Sequence, residues 1–378
     1  MAEATAQAPR PARQAGPTFV TPELSVYLDL VRMLAAFAVL VGHLDQDGIH
    51  TRWLGIGQLS HESVVVFFVL SGLVIAHTTA PGRRDWRSYT SARLARIYSV
   101  VLPAIVLSFV VKGVAVWLDP AALATEFARD DLRWINLAGA LLFLSESWGL
   151  PAALPWNGPY WSLCYEVWYY VLFGLAVFVP ARWRVWAVGA AALVAGPAIL
   201  LLGPLWALGA WLARSRCGFA WSRSAGLAVW ALTIVCMAGL YGTELSQHVQ
   251  RWQYQHVPGF WRLQSSQRWL TDYAWGVLVA ANFIGFRAMA AWAVPLMAVL
   301  RAPVQWLAGF SFSLYLYHRP LTEFVGHFWP HRAGSPWVSL AWLLAVLVAV
   351  WALASVTEAQ RGRVRKAADR LVGRSAGR

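Results

Sequence analysis

The chain has 378 residues, of which 58% are hydrophobic and only 13% charged, against roughly 25% charged residues in a soluble domain. Its mean hydropathy is +0.50, and 31 basic residues against 18 acidic ones leave a net charge of +13. Together these numbers exclude an ordinary soluble enzyme, and 24 Trp with 29 Gly fit a membrane bundle, where Trp lines the interfaces and Gly is frequent in helices. The three cysteines, Cys164, Cys217 and Cys236, stand in apolar stretches without CxxC spacing, so neither a disulfide framework nor a zinc site is indicated.

In chain order, residues 1–23 are rich in Ala, Pro and Arg and are expected to be a disordered tail. The first apolar stretch contains Asp29 and Arg32 and is followed by no small-residue cleavage site, so it reads as a retained helix. Spans need about 20 apolar residues, which places them near 25–44, 60–79, 97–118, 159–180, 183–201, 203–214, 221–242, 270–287, 306–326 and 337–357. The fold class expected is an all-α integral membrane bundle of about ten transmembrane helices, occupying 24–358, with a basic tail at 359–378.

Arginine placement orients the bundle. Arg83, Arg84, Arg87, Arg93 and Arg96 fall between the second and third spans, which makes that loop cytoplasmic. Arg10 and Arg13 then lie on the same side, and so do Arg182, Arg184, Arg214 and Arg216 if the apolar stretch 135–150 does not cross. The tail, where seven basic residues face Asp369, also lands inside, so both termini are expected in the cytoplasm and 135–150 is read as interfacial or re-entrant. The positive charge is thus topological, and no nucleic-acid partner is implied.

Ionisable residues within spans are expensive and mark function. Arg32 and His43 are eleven residues apart, three turns plus about 20°, so both project from one helix face about 16 Å apart. They can line one polar path, with Arg32 near the cytoplasmic entrance and His43 near the outer end. The plainer readings are a snorkelling Arg32 paired with Asp29, and a water-exposed interfacial His43. Glu166, with Ser162 four residues before it on the same face, falls at a depth similar to His43. That match suggests a carboxylate and imidazole acting as a general-base pair, the alternative being a glutamate bonded to Tyr165 or Tyr169. Arg93 and Arg96 offer two guanidinium forks suited to phosphate oxygens, or equally two anchors for lipid headgroups. His318 lies near the midplane, where a structural and a catalytic role are equally compatible with the sequence. Ser71 and Gly72 read most simply as a close helix-packing site.

These motifs together resemble the acyltransferase-3 family of bacterial membrane O-acyltransferases. The residues carrying the likeness are Asp29-Leu-Val-Arg32 with Ala35 and His43, the FFVLSG run at 67–72, Arg93-Leu-Ala-Arg96, Trp161-Ser162-Leu-Cys-Tyr165-Glu166, and Ser311-Phe-Ser-Leu-Tyr315-Leu-Tyr-His318. Met33 departs from a position that is often Gly in the family, which concerns helix packing. The resemblance implies a ten-helix bundle of the inner membrane that takes an acyl group, usually acetyl, from cytoplasmic acyl-CoA and delivers it to a hydroxyl, usually of an outer-face glycan. By the same resemblance, Arg32 and His43 match functional positions, Arg93 and Arg96 match the RxxR pair, and Ser162 and Glu166 match SxxxE. Acetyl-CoA is then the donor, with no metal; a glycan or other hydroxyl acceptor and membrane lipid are the partners, and a homo-oligomer is compatible with this. No SGNH-type esterase domain follows, so transfer is expected to finish within the bundle or on a separate partner. Two rival readings remain at this stage: an acylase of a macrolide-like metabolite or succinylase of a glucan, and a transporter using Arg32, His43 and Glu166 as a path.

Overall fold

Helix α1 (Pro22–Gln46) begins where the Thr21 hydroxyl accepts from the Leu24 N–H at 3.2 Å and Pro22 occupies the first turn, the position where a missing N–H is harmless. The computed structural model describes residues 18–47, 56, 59–79, 85–124, 134–150, 153–329 and 335–373. The tail expected to be disordered through residue 23 is described from residue 18, and Phe19 is buried. Its carbonyl accepts from Arg287 Nε at 2.9 Å; Arg10 and Arg13 lie outside the described residues.

Helix α2 (Ser60–Thr78) is followed by α3 (Trp86–Leu118), whose start is set by Asp85 accepting from Ser88 N–H at 2.6 Å. The span was expected from 97, because hydropathy registers only the apolar part. The cap starts the helix at 86, so Arg93 and Arg96 are helical rather than loop residues. Its 33 residues rise about 50 Å, well beyond the ~30 Å hydrocarbon core. Helix α4 (Trp134–Leu141) has 8 residues, a rise of about 12 Å, and ends in a turn with Phe143 and Trp148 at φ 58° and 55°. The stretch 135–150 therefore forms no helix long enough to cross.

Helix α5 (Tyr160–Phe178) leads into α6 (Ala181–Ala195) and α7 (Pro197–Leu212). The break between the last two was expected near 202. It lies at Gly196, which adopts φ 84° and is followed by Pro197 at the first helical position, a stop and a start that hydropathy does not register. Helices α8 (Arg223–Gly242) and α9 (Leu245–His256) precede α10 (Trp269–Gly309), which has 41 residues. A span of 270–287 was expected there. The helix instead runs on through Pro295 and Pro303 until Ala308 reaches α1, its carbonyl 3.5 Å from Arg32 Nη2. Helices α11 (Ser311–Phe328), α12 (Pro336–Thr357) and α13 (Arg361–Leu371) complete the order. The basic tail thus carries a helix, packed on α3 through Arg87 Nη1 donating to Gly373 O at 2.8 Å.

Among the described residues, seven helical segments are long and apolar enough to cross a membrane: α1, α2, α3, α5, α8, α12 and the segment Phe260–Gly309 that contains α10. Trp117, Trp186 and Trp337 remain 79%, 74% and 78% exposed, an apolar surface that only lipid or a partner can cover. The chain is a multi-pass membrane protein. Among the described glycines the closest backbone approach joins α2 to α7: a Cβ on Gly72 would stand 1.9 Å from Trp206 O, and one on Gly209 1.8 Å from Val69 O. The two backbones touch there, as small residues permit, and this fixes Ser71 against the centre of the bundle.

Candidate active site

The 25-residue α1 brings two functional groups to one face, as the eleven-residue spacing predicts. Toward its start, Arg32 Nη2 donates to Asp29 Oδ1 at 2.7 Å. The anchoring pair weighed against a catalytic Arg32 is therefore formed, yet Arg32 also lines the central cleft. Toward its end, His43 Nδ1 lies 2.7 Å from Nε2 of His318 on α11, and His318 Nδ1 lies 2.7 Å from Leu314 O. A carbonyl only accepts, so the proton of His318 sits on Nδ1 and its Nε2 is a bare acceptor. His43 must then donate from Nδ1, which leaves His43 Nε2 as the basic nitrogen. Two neutral imidazoles, with ring centroids 5.0 Å apart and 17° between planes, set one tautomer through a single backbone carbonyl.

Proline assists this arrangement. Pro320 has no N–H to give Leu316 O, four residues earlier, and that carbonyl accepts instead from Asn157 Nδ2 at 3.1 Å. The segment bearing His318 is thereby tied to the chain just before α5.

Glu166 has different partners from those expected. Its Oε1 accepts from Ser71 Oγ at 2.7 Å and from the Tyr170 hydroxyl, and Trp206 Nε1 donates to Ser71 at 3.2 Å. The expected His43–Glu166 pair is not formed, because α2 delivers Ser71 to Glu166 while α11 delivers His318 to His43. Ser162 Oγ meets the Tyr315 hydroxyl at 2.6 Å, and each lies within reach of Pro159 O, at 3.2 and 3.1 Å, so one hydroxyl donates to the other, which in turn donates to the carbonyl. The Tyr315 ring stands 6.4 Å from that of His318. Trp161 stacks on His61 at 5.9 Å, and Tyr165 donates to Glu146 Oε2 at 3.3 Å; neither lines the cleft.

A cleft of about 670 Å³ is lined by Arg32, Ser71, Arg96, Ser162, Glu166 and Tyr315. Arg32 and Arg96 also line an adjoining space of about 510 Å³ with Glu358 and Arg361. Its wall is polar where the inner cleft is mostly aromatic and aliphatic. The two expected phosphate forks separate here. Arg96 faces this cleft, whereas Arg93 lines an apolar groove between α3 and α5, with its guanidinium 5.7 Å and 5.8 Å from the Tyr89 and Tyr170 rings. Three residues apart on a helix is about 60° short of a full turn, enough to send the two side chains to opposite sides of Tyr170.

The structure therefore gathers Arg32, Arg96, Ser162, Glu166 and Tyr315 around one cleft and sets His43 with His318 beyond Tyr315. Sequence reasoning missed Tyr170, Glu358 and Arg361, and read Ser71 only as a packing residue. Tyr170, four residues after Glu166 on the same face, was findable from spacing; Arg361 lies in the segment 359–378 that read as a tail, and Glu358 at the very end of the expected bundle. Compared with known proteins, residues 25–356 match the family model described as an acyltransferase domain. No curated protein and no solved structure matches the chain.

Proposed function

Because the chain belongs to the acyltransferase-3 family and is a multi-pass membrane acyltransferase, we propose that it moves an acyl group, most simply acetyl, from cytoplasmic acyl-CoA to a hydroxyl of an extracytoplasmic or lipid-linked glycan. The observation that carries this reading is the order of groups along the bundle. A cationic opening with Arg96 and Arg361 leads to Arg32 and then to Ser162 and Tyr315, and behind the Tyr315 ring, 6.4 Å away, stands His318 with His43. Such a sequence suits a long donor with phosphates at one end and a thioester at the other.

In this mechanism Arg32 and Arg96 bind the anionic donor and His43 Nε2 serves the chemistry. His43 takes the proton of the acceptor hydroxyl as its oxygen attacks the thioester carbonyl carbon; the C–S bond then breaks, and the proton passes to the departing thiolate. His318 holds the tautomer that keeps Nε2 basic. The same nitrogen also serves a route through an acyl-imidazole, and mass measurement of the intact protein quenched during turnover separates the two. Ser71 and Tyr170 hold Glu166 in the wall of the cleft, where its charge balances Arg32.

The reading includes the inner membrane, ten crossings and both termini in the cytoplasm. It adds α6, α7 and α11 to the seven long apolar segments, and the arginine distribution supports it. Labelling of single cysteines placed in α13 and in α9 from either side of sealed vesicles tests this orientation. The activity is tested by supplying purified protein with several acyl-CoAs and with lipid-linked or polymeric glycans, and identifying the product by mass. Absence of transfer from every acyl-CoA overturns the reading.

A further inference from the structure

The segment that follows α12 lies beyond the residues matched by the family, 25–356, yet it contributes two charges to the wall of the outer cleft. Glu358 and Arg361 line it together with Arg32 and Arg96. Their placement is fixed from both sides. Ser313 Oγ donates to Glu358 Oε1 at 2.9 Å, and the Tyr317 hydroxyl donates to Thr357 Oγ1 at 3.0 Å, so the end of α12 is held to α11. Beyond Arg361, α13 is held to α3 by Arg87 donating to Gly373 O at 2.8 Å. Arg361 is therefore aimed by a braced segment.

In the outer cleft three guanidinium groups, Arg32, Arg96 and Arg361, meet one carboxylate, Glu358; the two other carboxylates nearby are already engaged, Asp29 by Arg32 and Glu166 by Ser71 and Tyr170 in the inner cleft. Among the described residues neither Arg96 nor Arg361 forms a salt bridge. Partial desolvation and the nearby Arg96 guanidinium pull the Arg361 pKa down, while burial pushes that of Glu358 up; Arg361 itself stands exposed at the rim of the space and Glu358 is half-buried. Arg32 Nε is buried without a hydrogen-bond partner. A cluster of like charges with unused donors is stabilised by an anion that several guanidinium groups share.

We propose that Arg361 completes, with Arg32 and Arg96, a three-guanidinium site for the phosphate-bearing nucleotide end of the acyl donor, so that the segment after α12 belongs to the donor-binding site. This rests on the acyl-CoA reading above and adds to it a residue that the family match does not reach. Arg93 is excluded from the site, because it lines the separate apolar groove against Tyr89 and Tyr170.

The test uses the full chain in detergent or nanodiscs, as wild type, Arg361→Ala, Arg361→Lys and Glu358→Gln. Coenzyme A binding is measured by titration, and KM and kcat are measured with acetyl-CoA, acetyl-dephospho-CoA and acetyl-pantetheine. Loss of one charge-assisted contact is expected to raise KM for acetyl-CoA about tenfold or more in R361A, with kcat changed less than about twofold. The same variant should show little change with acetyl-pantetheine, which has no nucleotide phosphates. R361K should recover part of the loss, and E358Q, which removes a competing carboxylate, should tighten CoA binding. Equal CoA affinity in wild type and R361A overturns the inference, as does an equal rise in KM for acetyl-pantetheine, which marks a purely structural role. Competition by anionic lipid vesicles without competition by CoA assigns the site to a headgroup and also overturns it. If R361A fails to fold, E358Q and R361K still decide: unchanged CoA affinity in both overturns the proposal. Wild-type protein that binds no CoA refutes the acyl-CoA reading itself, a result distinct from all of these.

Discussion

The two ends of α1 handle polarity in opposite ways. Near its start, Arg32 belongs to a crowd of charges, with Asp29 at 2.7 Å and Arg96, Glu358 and Arg361 around the same space. Near its end, His43 meets a second imidazole at 2.7 Å, and the chain of bonds closes on a backbone carbonyl without any carboxylate. On the function proposed above, the first arrangement holds an anion and the second keeps one nitrogen free to take a proton. A carboxylate at the second place would favour imidazolium and leave Nε2 occupied by a proton at rest; a neutral relay fixes the tautomer without doing so.

The sharpest way to break this contrast is to remove the basic nitrogen. His43→Ala is expected to lower turnover ~10²- to 10⁴-fold with donor binding nearly intact, measured by product formation beside CoA titration. A variant that folds and turns over normally takes His43 out of the chemistry. Next in size is His318→Ala, expected to cost ~10²-fold through misplacement of His43. His318→Gln, which can both donate to Leu314 O and accept from His43, should recover part of that loss; a purely structural role for His318 would give the two variants the same rate at equal thermal stability. Glu166→Gln is expected to lower turnover by about tenfold, in line with loss of a charge-assisted contact, while leaving the pH dependence of kcat in place. A displaced pH profile would instead tie Glu166 to His43.

The smallest effect concerns a carboxylate outside both regions. Burial raises the pKa of Glu146 above its ordinary value, while Ser265 and Tyr165 oppose that shift. A carboxyl with a raised folded-state pKa binds its proton more tightly when folded, so its contribution falls as pH rises from the ordinary carboxylate range through the raised value. Glu146→Gln is therefore expected to raise Tm by a few degrees at neutral pH, an effect that disappears on acidification below the ordinary range. A Tm difference that does not depend on pH would assign the change to packing.

Much of the machinery was legible in one dimension. Arg32 and His43 share a face because 3.6 residues per turn dictates it, and Ser71 with Gly72 marks a close helix crossing because only small residues allow backbones to touch. What stayed hidden was pairing across the bundle. Glu166 and His43 have similar apparent depth, but depth does not say which helix is the neighbour, and α2 and α11 decide that. The break at Gly196 and the continuous α10 escaped hydropathy because capping and backbone conformation set helix ends, whereas composition sets only what is apolar. Arg361 escaped for a related reason: a basic run reads as solvated tail until its packing on α3 is known, and Glu358, at the border of that run, reads as the polar end of a span.

The separation in sequence between His43 and His318, 275 residues, has a consequence for biosynthesis. Helix α1 emerges from the ribosome with Asp29, Arg32 and His43 long before α11 or the segment bearing Arg361 exists. The one partner available at that moment is the local one, Asp29 for Arg32 three residues on, and a mutually neutralised pair is easier to pass to the membrane than a lone guanidinium. An ion pair contained within α1 lowers the cost of carrying Arg32 into the membrane, whereas the His43–His318 contact and the wall bearing Arg361 form only when the distant helices arrive.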